Sequence, residues 1–297
     1  MGLVSLHQLF NHATRYGYAL GYFEAWDSYS LEAVVEAAEA EQSPAIIGFG
    51  GMMLDRGWLD ASGVEMLGRM GRVVAERARV PVALILNEAQ TFEQATHGLD
   101  AGFNIVMLDT SLWAWNESIA KVSELVKLAH ARGAAVEAEL GRLPDFVEGS
   151  IDSSASSLTD PAQAAQFVQH TGVDCLAVSI GNVHLFTAGH APVDMLHLEA
   201  IHAQVPVPLV IHGGTSFPPA AVPQAIRAGA LKFNFGTGLK RAFFEGIRET
   251  MSALGEQPHV HDVMGSHKAT DLMTAGKARM TVKVREWMRT LGSSGKA

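Results

Sequence analysis

P-L-V-I-H-G-G-T-S (208–216), P-A-A-V-P-Q-A-I-R-A (219–228) and K-F-N-F-G-T (232–237) stand close together near the end of the chain. They are an apolar run, a stretch of helical spacing and a second strand-like run. Runs such as Pro208–His212 that are apolar on both faces suit buried parallel strands. With a helix between them, two such runs form a strand–helix–strand unit. Outward from this unit the same alternation recurs. The strand candidates are Tyr18–Glu24, Ala45–Phe49, Val82–Leu86, Asn104–Asp109, Ala135–Leu140, Cys175–Ile180, Pro208–His212 and Lys232–Phe235.

The segments between them read as helices. Leu31, Val34, Val35 and Ala38 give the i, i+3, i+4, i+7 stripe, with Ser28 or Ser30 as its cap. Further helices are expected at Gly63–Ala78, Phe92–Leu99, Asn116–Ala131, Asp160–His170, Asp194–Gln204, Pro219–Ala228 and Leu239–Met251. Thr159-Asp160-Pro161 is a start signal. Gly102, Gly133, Gly172 and Gly229 follow helical runs as stops. Eight strand–helix alternations over about 250 residues match an α/β fold of the (β/α)8 TIM-barrel type. The competitor is a doubly wound open sheet, whose nucleotide-binding forms carry a glycine-rich fingerprint after the first strand. This chain has none there. The expected division is a barrel over 1–257 and a C-terminal helical extension over 258–297. Within the extension, Met273, Met280, Val284 and Met288 form one helical stripe, read as packing on the barrel itself or on a neighbouring subunit.

Composition narrows the function. The 297 residues include 48% apolar and 18% charged side chains, enough for a large core and too few charges for disorder. The net charge of −9 offers no basic field for nucleic acid or an anionic membrane. No apolar run approaches the roughly 20 residues of a spanning helix. The single cysteine, Cys175, permits no internal disulfide and fits a reducing compartment. The start MGLVSLHQLFNHATRYGYAL lacks a basic and apolar leader pattern. A cytoplasmic enzyme is the expectation.

In such a barrel, chemistry sits at the C-terminal ends of the strands. Those ends carry Asn87-Glu88, Asp109, Glu137 and Glu139, Gly181-Asn182-Val183-His184, His212-Gly213-Gly214 and Asn234-Phe235-Gly236-Thr237. A core needs none of these carboxylates and imidazoles. His184 and His212, with Glu88, Asp109 and Glu139 across the mouth, point to a divalent metal, zinc first, with manganese or iron as alternatives. His7, His12, His97, His130 and His170 read as surface residues. The turns Gly213-Gly214-Thr215-Ser216 and Gly236-Thr237-Gly238 lie where this fold commonly builds a phosphate site. The segment Pro144–Leu158 is long for a loop here and reads as either a lid or an unstructured surface loop.

The blocks V-E-A-E-L-G (136–141), T-D-P (159–161), T-G-V-D-C-L-A-V-S-I-G-N-V-H (171–184), I-H-G-G-T-S (211–216) and K-F-N-F-G-T (232–237) occur in this order. Together with the opening V-S-L-H-Q-L-F and A-G-F-N-I-V-M-L-D-T-S (101–111), they resemble the class II (metal-dependent) ketose-bisphosphate aldolase family over nearly the whole chain. The resemblance implies a zinc ion that polarises a ketose-phosphate carbonyl and stabilises the enediolate formed on carbon–carbon cleavage. Two of its histidine ligands match His184 and His212. The third belongs to an Asp-His pair, replaced here by Asn87-Glu88, so the resemblance implies a His-His-Glu site.

Asn87 stands where the family's aspartate handles a hydroxyl proton, which an amide cannot do. Asp109 and Glu139 match carboxylates near a second metal position. Pro144-Asp145-Phe146-Val147-Glu148 replaces the glycine-glycine-acid-acid stretch of the family's lid, leaving Glu148 or Asp145 for its proton transfer. Thr215-Ser216 replaces serine-glycine, and Gly236 replaces an acidic or amide residue. Asn234, a substrate contact, is kept. The implied catalytic set is Asn87, Glu88, Glu148 and Asn234. The implied substrate and phosphate contacts are Gly181, Gly213, Gly214, Thr215, Ser216, Gly236 and Thr237.

The function so implied is a divergent aldolase-like lyase acting on a hydroxylated carbonyl, sugar-phosphate-like compound, as a homodimer or homotetramer. Two other readings stay open. One is a metal-dependent sugar isomerase or epimerase, and the other a non-catalytic aldolase-like subunit.

Overall fold

The computed structural model describes residues 2–141, 143–147, 150–152, 157–183 and 189–297. All eight expected strands form, one at its expected bounds and the others with ends shifted by one to a few residues. They are β1 (Leu20–Ala25), β2 (Ala45–Gly50), β3 (Pro81–Ala89), β4 (Ile105–Leu108), β5 (Ala135–Leu140), β6 (Cys175–Val178), β7 (Leu209–Ile211) and β8 (Ala230–Phe235). Each pairs in parallel with the next, and β8 pairs with β1 through Lys232–Leu20 and Asn234–Tyr22, closing the barrel. The open-sheet alternative is thereby excluded.

Helices alternate with these strands on the outside: α2 (Ser28–Glu41), α3 (Val64–Arg77), α4 (Phe92–Ala101), α5 (Trp115–His130), α6 (Pro161–Thr171), α7 (Met195–His202), α8 (Val222–Arg227) and α9 (Thr237–Ser252). Of the expected glycine stops, Gly102, Gly133, Gly172 and Gly229 all adopt positive φ. One cap differs from expectation. Asp27, rather than Ser28 or Ser30, starts α2, accepting the Ser30 N–H at 2.7 Å while Ser30 completes the reciprocal pair. A carboxylate beside the first-turn N–H groups also suits the helix dipole.

Besides the short helical turns Arg56–Trp58 and Val260–Val263, one longer helix has no counterpart among the expected ones. α1 (Leu6–Tyr16) is started by a Ser5/Gln8 capping box, and its Leu6, Leu9, Phe10 and Ala13 are buried. They pack onto Leu20, Ile46, Ala83, Ile105, Ala135 and Val210 inside the barrel, stoppering its N-terminal end. Residue alternation along each strand then places every second side chain above this apolar floor. From Ala135 the same face carries Glu137 and Glu139, and from Val210 it carries His212.

The C-terminal helix α10 (Leu272–Thr290) lies on α9 and α2. Met280, Val284 and Met288 are fully buried in the barrel's outer core, and Met273 is partly buried against it. The methionine stripe therefore packs on its own barrel. Glu41 at the end of α2 accepts hydrogen bonds from Arg285 and Arg289. Beyond α10, the Gly295 and Ala297 N–H groups bond to the carbonyls of Glu41 and Gln42. No described helix is long and apolar enough to cross a membrane.

Candidate active site

The mouth is built by local irregularities at the ends of regular strands. Near its end β3 slips register against β4 between Leu86 and Ala89, and Glu88 adopts φ +52°. A left-handed conformation in a residue with a Cβ costs about 1–2 kcal/mol. Gly51 permits the bulge, because a Cβ there would lie 2.7 Å from the Glu88 carbonyl oxygen. The Glu88 carboxylate thus comes to 3.3 Å from His212 Nδ1.

His212, at the end of β7, is buried and held from both sides. Its Nε2 lies 3.1 Å from Glu137 Oε1. Lys232 Nζ binds both Glu137 oxygens, at 2.9 and 2.7 Å, and donates to Asn234 Oδ1 at 2.7 Å. The Glu137 and Lys232 side chains are both 0% exposed. Burial pushes the Glu137 carboxyl up, but the Lys232 ammonium and His212 outweigh it and hold it down at about 2. Glu137 is therefore an ionised acceptor, so His212 Nε2 must carry a hydrogen. That fixes the ring and turns Nδ1 toward the mouth.

There Nδ1 meets Glu139 Oε2 at 2.7 Å as well as Glu88. One ligand atom from each of Glu88, Glu139 and His212 falls within 4.8 Å of the others. Burial disfavours the imidazolium, yet Glu139, Glu137 and Glu88 together raise the His212 pKa well above its ordinary value. A positive charge at Nδ1, carried by a proton or a metal ion, satisfies these carboxylates, and two carboxylates with an imidazole suit zinc, manganese or iron. A Glu137-tethered imidazole is also how proteins commonly orient a histidine toward a metal. The donor set fits a divalent ion.

Beside this cluster lies a cavity of about 200 Å³, walled in part by Tyr22, Glu24, Asn87, Glu88, His212 and Asn234. Asn87 Oδ1, Asn234 Nδ2 and the Tyr22 hydroxyl are buried there without a hydrogen-bond partner among the described residues. Such groups are costly unless a ligand or water satisfies them. Gly213, Thr215, Gly236 and Thr237 line the same cavity, with Lys240. Gly214 and Thr215 border a cleft on the outer side.

Other expected residues lie elsewhere. Ser216 is buried and donates to the Gly213 carbonyl at 3.1 Å, which makes it a turn former. Gly181, at φ +96°, allows close approach of the Pro192 carbonyl. Asp109 accepts the Ser111 N–H at 3.0 Å and is outside the Glu88–Glu139–His212 group. Glu139 joins that group directly instead of pairing with Asp109. His184 and Glu148 lie outside the described residues. His7, His12, His97, His130 and His170 are all exposed. In the 144–158 segment, Asp145–Val147 and Ser150–Asp152 pair as antiparallel strands.

Glu137 stands among the strand-end carboxylates of the sequence but was given no ligand or catalytic role there, and Lys232, Tyr22 and Glu24 were given none either. The signal for the first two was present in alternation: Glu137 precedes Glu139 by two residues on β5, and Lys232 precedes Asn234 by two on β8.

Comparison with known proteins agrees with this geometry. Residues 4–296 match the family described as fructose-bisphosphate aldolase class-II. The fructose-bisphosphate aldolase of Geobacillus stearothermophilus is 34% identical over 299 residues, covering 100% of this chain and 99% of the relative. The crystal structure of the YdjI aldolase from Escherichia coli K12 superposes with a TM-score of 0.81 at 30% identity, covering 99% of both chains. A putative fructose-1,6-biphosphate aldolase from Coccidioides immitis gives a TM-score of 0.81 at 26% identity, covering 98% of this chain and 97% of that one. Sequence and fold agree along the whole chain, which belongs to the class II fructose-bisphosphate aldolase family.

Proposed function

We propose that this protein is a divergent aldolase-like lyase that cleaves or forms a carbon–carbon bond in a hydroxylated carbonyl compound. The observation that carries the reading is the convergence of Glu88, Glu139 and His212, with His212 tethered from behind by Glu137. Glu88, His212 and His184 would hold a divalent ion, with Glu139 beside them. When bound, such an ion polarises a carbonyl and stabilises the negative charge that develops on its oxygen.

The chain's own residues supply the rest. Glu137 and Lys232 hold His212 in one tautomer. Asn234 Nδ2 is left to donate, because its Oδ1 is taken by Lys232. Asn87 Oδ1 accepts a substrate hydroxyl hydrogen without taking the proton, since an amide is no base near neutrality. Ordinary fructose-bisphosphate cleavage is therefore weak, and the preferred substrate differs from that compound.

The test is metal content by elemental mass spectrometry, with Glu88→Ala and His212→Ala in parallel. About one divalent equivalent in the parent and its loss in both variants is expected. No metal even after soaking with zinc or manganese overturns the reading. A second arm restores Asp-His by Asn87→Asp with Glu88→His, which should raise fructose-bisphosphate cleavage at least about tenfold. No gain removes Asn87 as the cause of divergence.

A further inference from the structure

The cavity beside His212 continues to the turn between β8 and α9, where its walls are Glu24, Gly236, Thr237 and Lys240. Gly236 precedes the 16-residue α9 and provides no side-chain cap. Thr215 Oγ1, from the turn after β7, accepts the Gly238 N–H at 3.3 Å. A helix N-terminus between glycine turns is where a phosphate is ordinarily held. In this chain a carboxylate of the protein stands beside Gly236, the residue that precedes the helix.

Glu24, at the end of β1, lies in a slot left by two glycines. Its Oε2 is 2.1 Å from the position a Cβ on Gly236 would take, and its Oε1 is 3.0 Å from the corresponding position on Gly50. Any larger residue at 236 would expel it. Its Oε1 also receives Lys240 Nζ at 2.7 Å. Lys240 is the only lysine or arginine among the described residues lining the cavity, and Glu24 neutralises it. The Glu24 side chain is only 12% exposed, so water screens its charge poorly. Glu88 also lines this cavity.

A phosphate here would meet a neutralised lysine and carboxylates on two sides, one of them beside the helix terminus at Gly236. An alcohol meets the reverse. Glu24 Oε2 accepts hydroxyl hydrogens, as does Asn87 Oδ1. Asn234 Nδ2 donates, and the hydroxyls of Tyr22 and Thr237 do either. From these placements we infer that Glu24 is a specificity residue, making this pocket take the uncharged, hydroxylated end of a substrate and reject a phosphate there. The inference rests on the carbonyl-binding reading of the site given above.

The experiment measures affinities for inorganic phosphate, dihydroxyacetone phosphate and dihydroxyacetone by titration calorimetry. It uses the full-length parent, Glu24→Gln and Glu24→Ala, each loaded with zinc. Gln keeps the shape and the Lys240 hydrogen bond while removing the charge, and Ala opens the slot as well. The parent should bind dihydroxyacetone phosphate no tighter than dihydroxyacetone. Both variants should bind inorganic phosphate and the phosphorylated probe at least about tenfold tighter than the parent, while dihydroxyacetone, which loses a hydroxyl acceptor, should bind no tighter than to the parent. This ratio does not move if Glu24 is only structural.

The inference is overturned if the parent already prefers the phosphorylated probe tenfold, or if neither variant gains phosphate affinity. The inorganic phosphate arm needs no carbonyl, so its gain upholds the role of Glu24 even where dihydroxyacetone fails to bind. Failure of dihydroxyacetone alone counts against the lyase reading.

Discussion

The two ends of the barrel interior are made from the same eight strands and obey opposite rules. At the N-terminal end the inward side chains are Leu20, Ile46, Ala83, Ile105, Ala135, Cys175 and Val210, closed by α1. At the C-terminal end they include Asn87, Glu137, Glu139, His212, Lys232 and Asn234. The floor is stabilised by removing apolar surface from water, which is tolerant of detail and independent of direction. The mouth buries charge, which is stable only while every partner is present. The comparison separates the part of the barrel that holds it together from the part held ready for a ligand.

Breaking the mouth should have the largest effect. Lys232→Met leaves the Glu137 carboxylate buried with His212 as its remaining cation, and stability should fall by about 3–5 kcal/mol. Urea denaturation measures this, and metal content of the folded fraction should fall with it. A loss below 1 kcal/mol would mean that the Lys232–Glu137 pair is not the mouth's support. Ile46→Ala in the floor should cost about 2–4 kcal/mol through lost burial and a cavity. Metal content per folded molecule should be unchanged in that variant. If it falls instead, floor and mouth are coupled and the comparison fails.

A smaller effect concerns a charge placed outside the barrel. Glu41 accepts from Arg289, Arg285 and Ser294, and these hold its carboxyl down at about 2, against the opposing effect of burial. A carboxylate with a lowered pKa contributes stability that is fully present above its ordinary value and lost as pH falls toward the lowered one. The attachment of α10 to α2 should therefore weaken between about pH 4.5 and 2. Arg289→Ala should move the onset upward and cost about 0.5–1 kcal/mol at neutral pH. Acid titration followed by near-ultraviolet circular dichroism checks both. An unchanged onset would assign the attachment to Met280, Val284 and Met288 alone.

Much of the barrel was legible because its signals are local. β5 was read at its observed bounds, Ala135–Leu140, since Val, Ala and Leu flank its two glutamates in strict alternation. Asp160-Pro161 announced α6, as capping chemistry acts within three residues. α1 was missed although Ser5 and Gln8 form a capping box, because L-H-Q-L-F-N-H-A lacks the charged face that marks a surface helix. Its outward positions are histidine and asparagine instead. Within the site, His212, Glu88, Asn87 and Asn234 stood out as polar residues at strand ends. Glu137 stood out with them but without a role, and Lys232 not at all, since the purpose of a charge buried inside a strand shows only when its partner is in view.

By itself the sequence determined the strand count, the helix starts and stops, and the parity that sends each side chain into or out of the barrel. These depend on backbone periodicity and on hydrogen bonds spanning a few residues. Only the tertiary structure decided which inward groups meet. His212 and Glu137 are 75 residues apart, Lys232 and Glu137 are 95 apart, and Lys240 and Glu24 are 216 apart. The β3 bulge that turns Glu88 inward, and the glycine slot that admits Glu24, are likewise set by neighbouring strands. Closure of the sheet brings these groups within hydrogen-bonding distance, and electrostatics at that range depends on position in space, which local sequence does not encode.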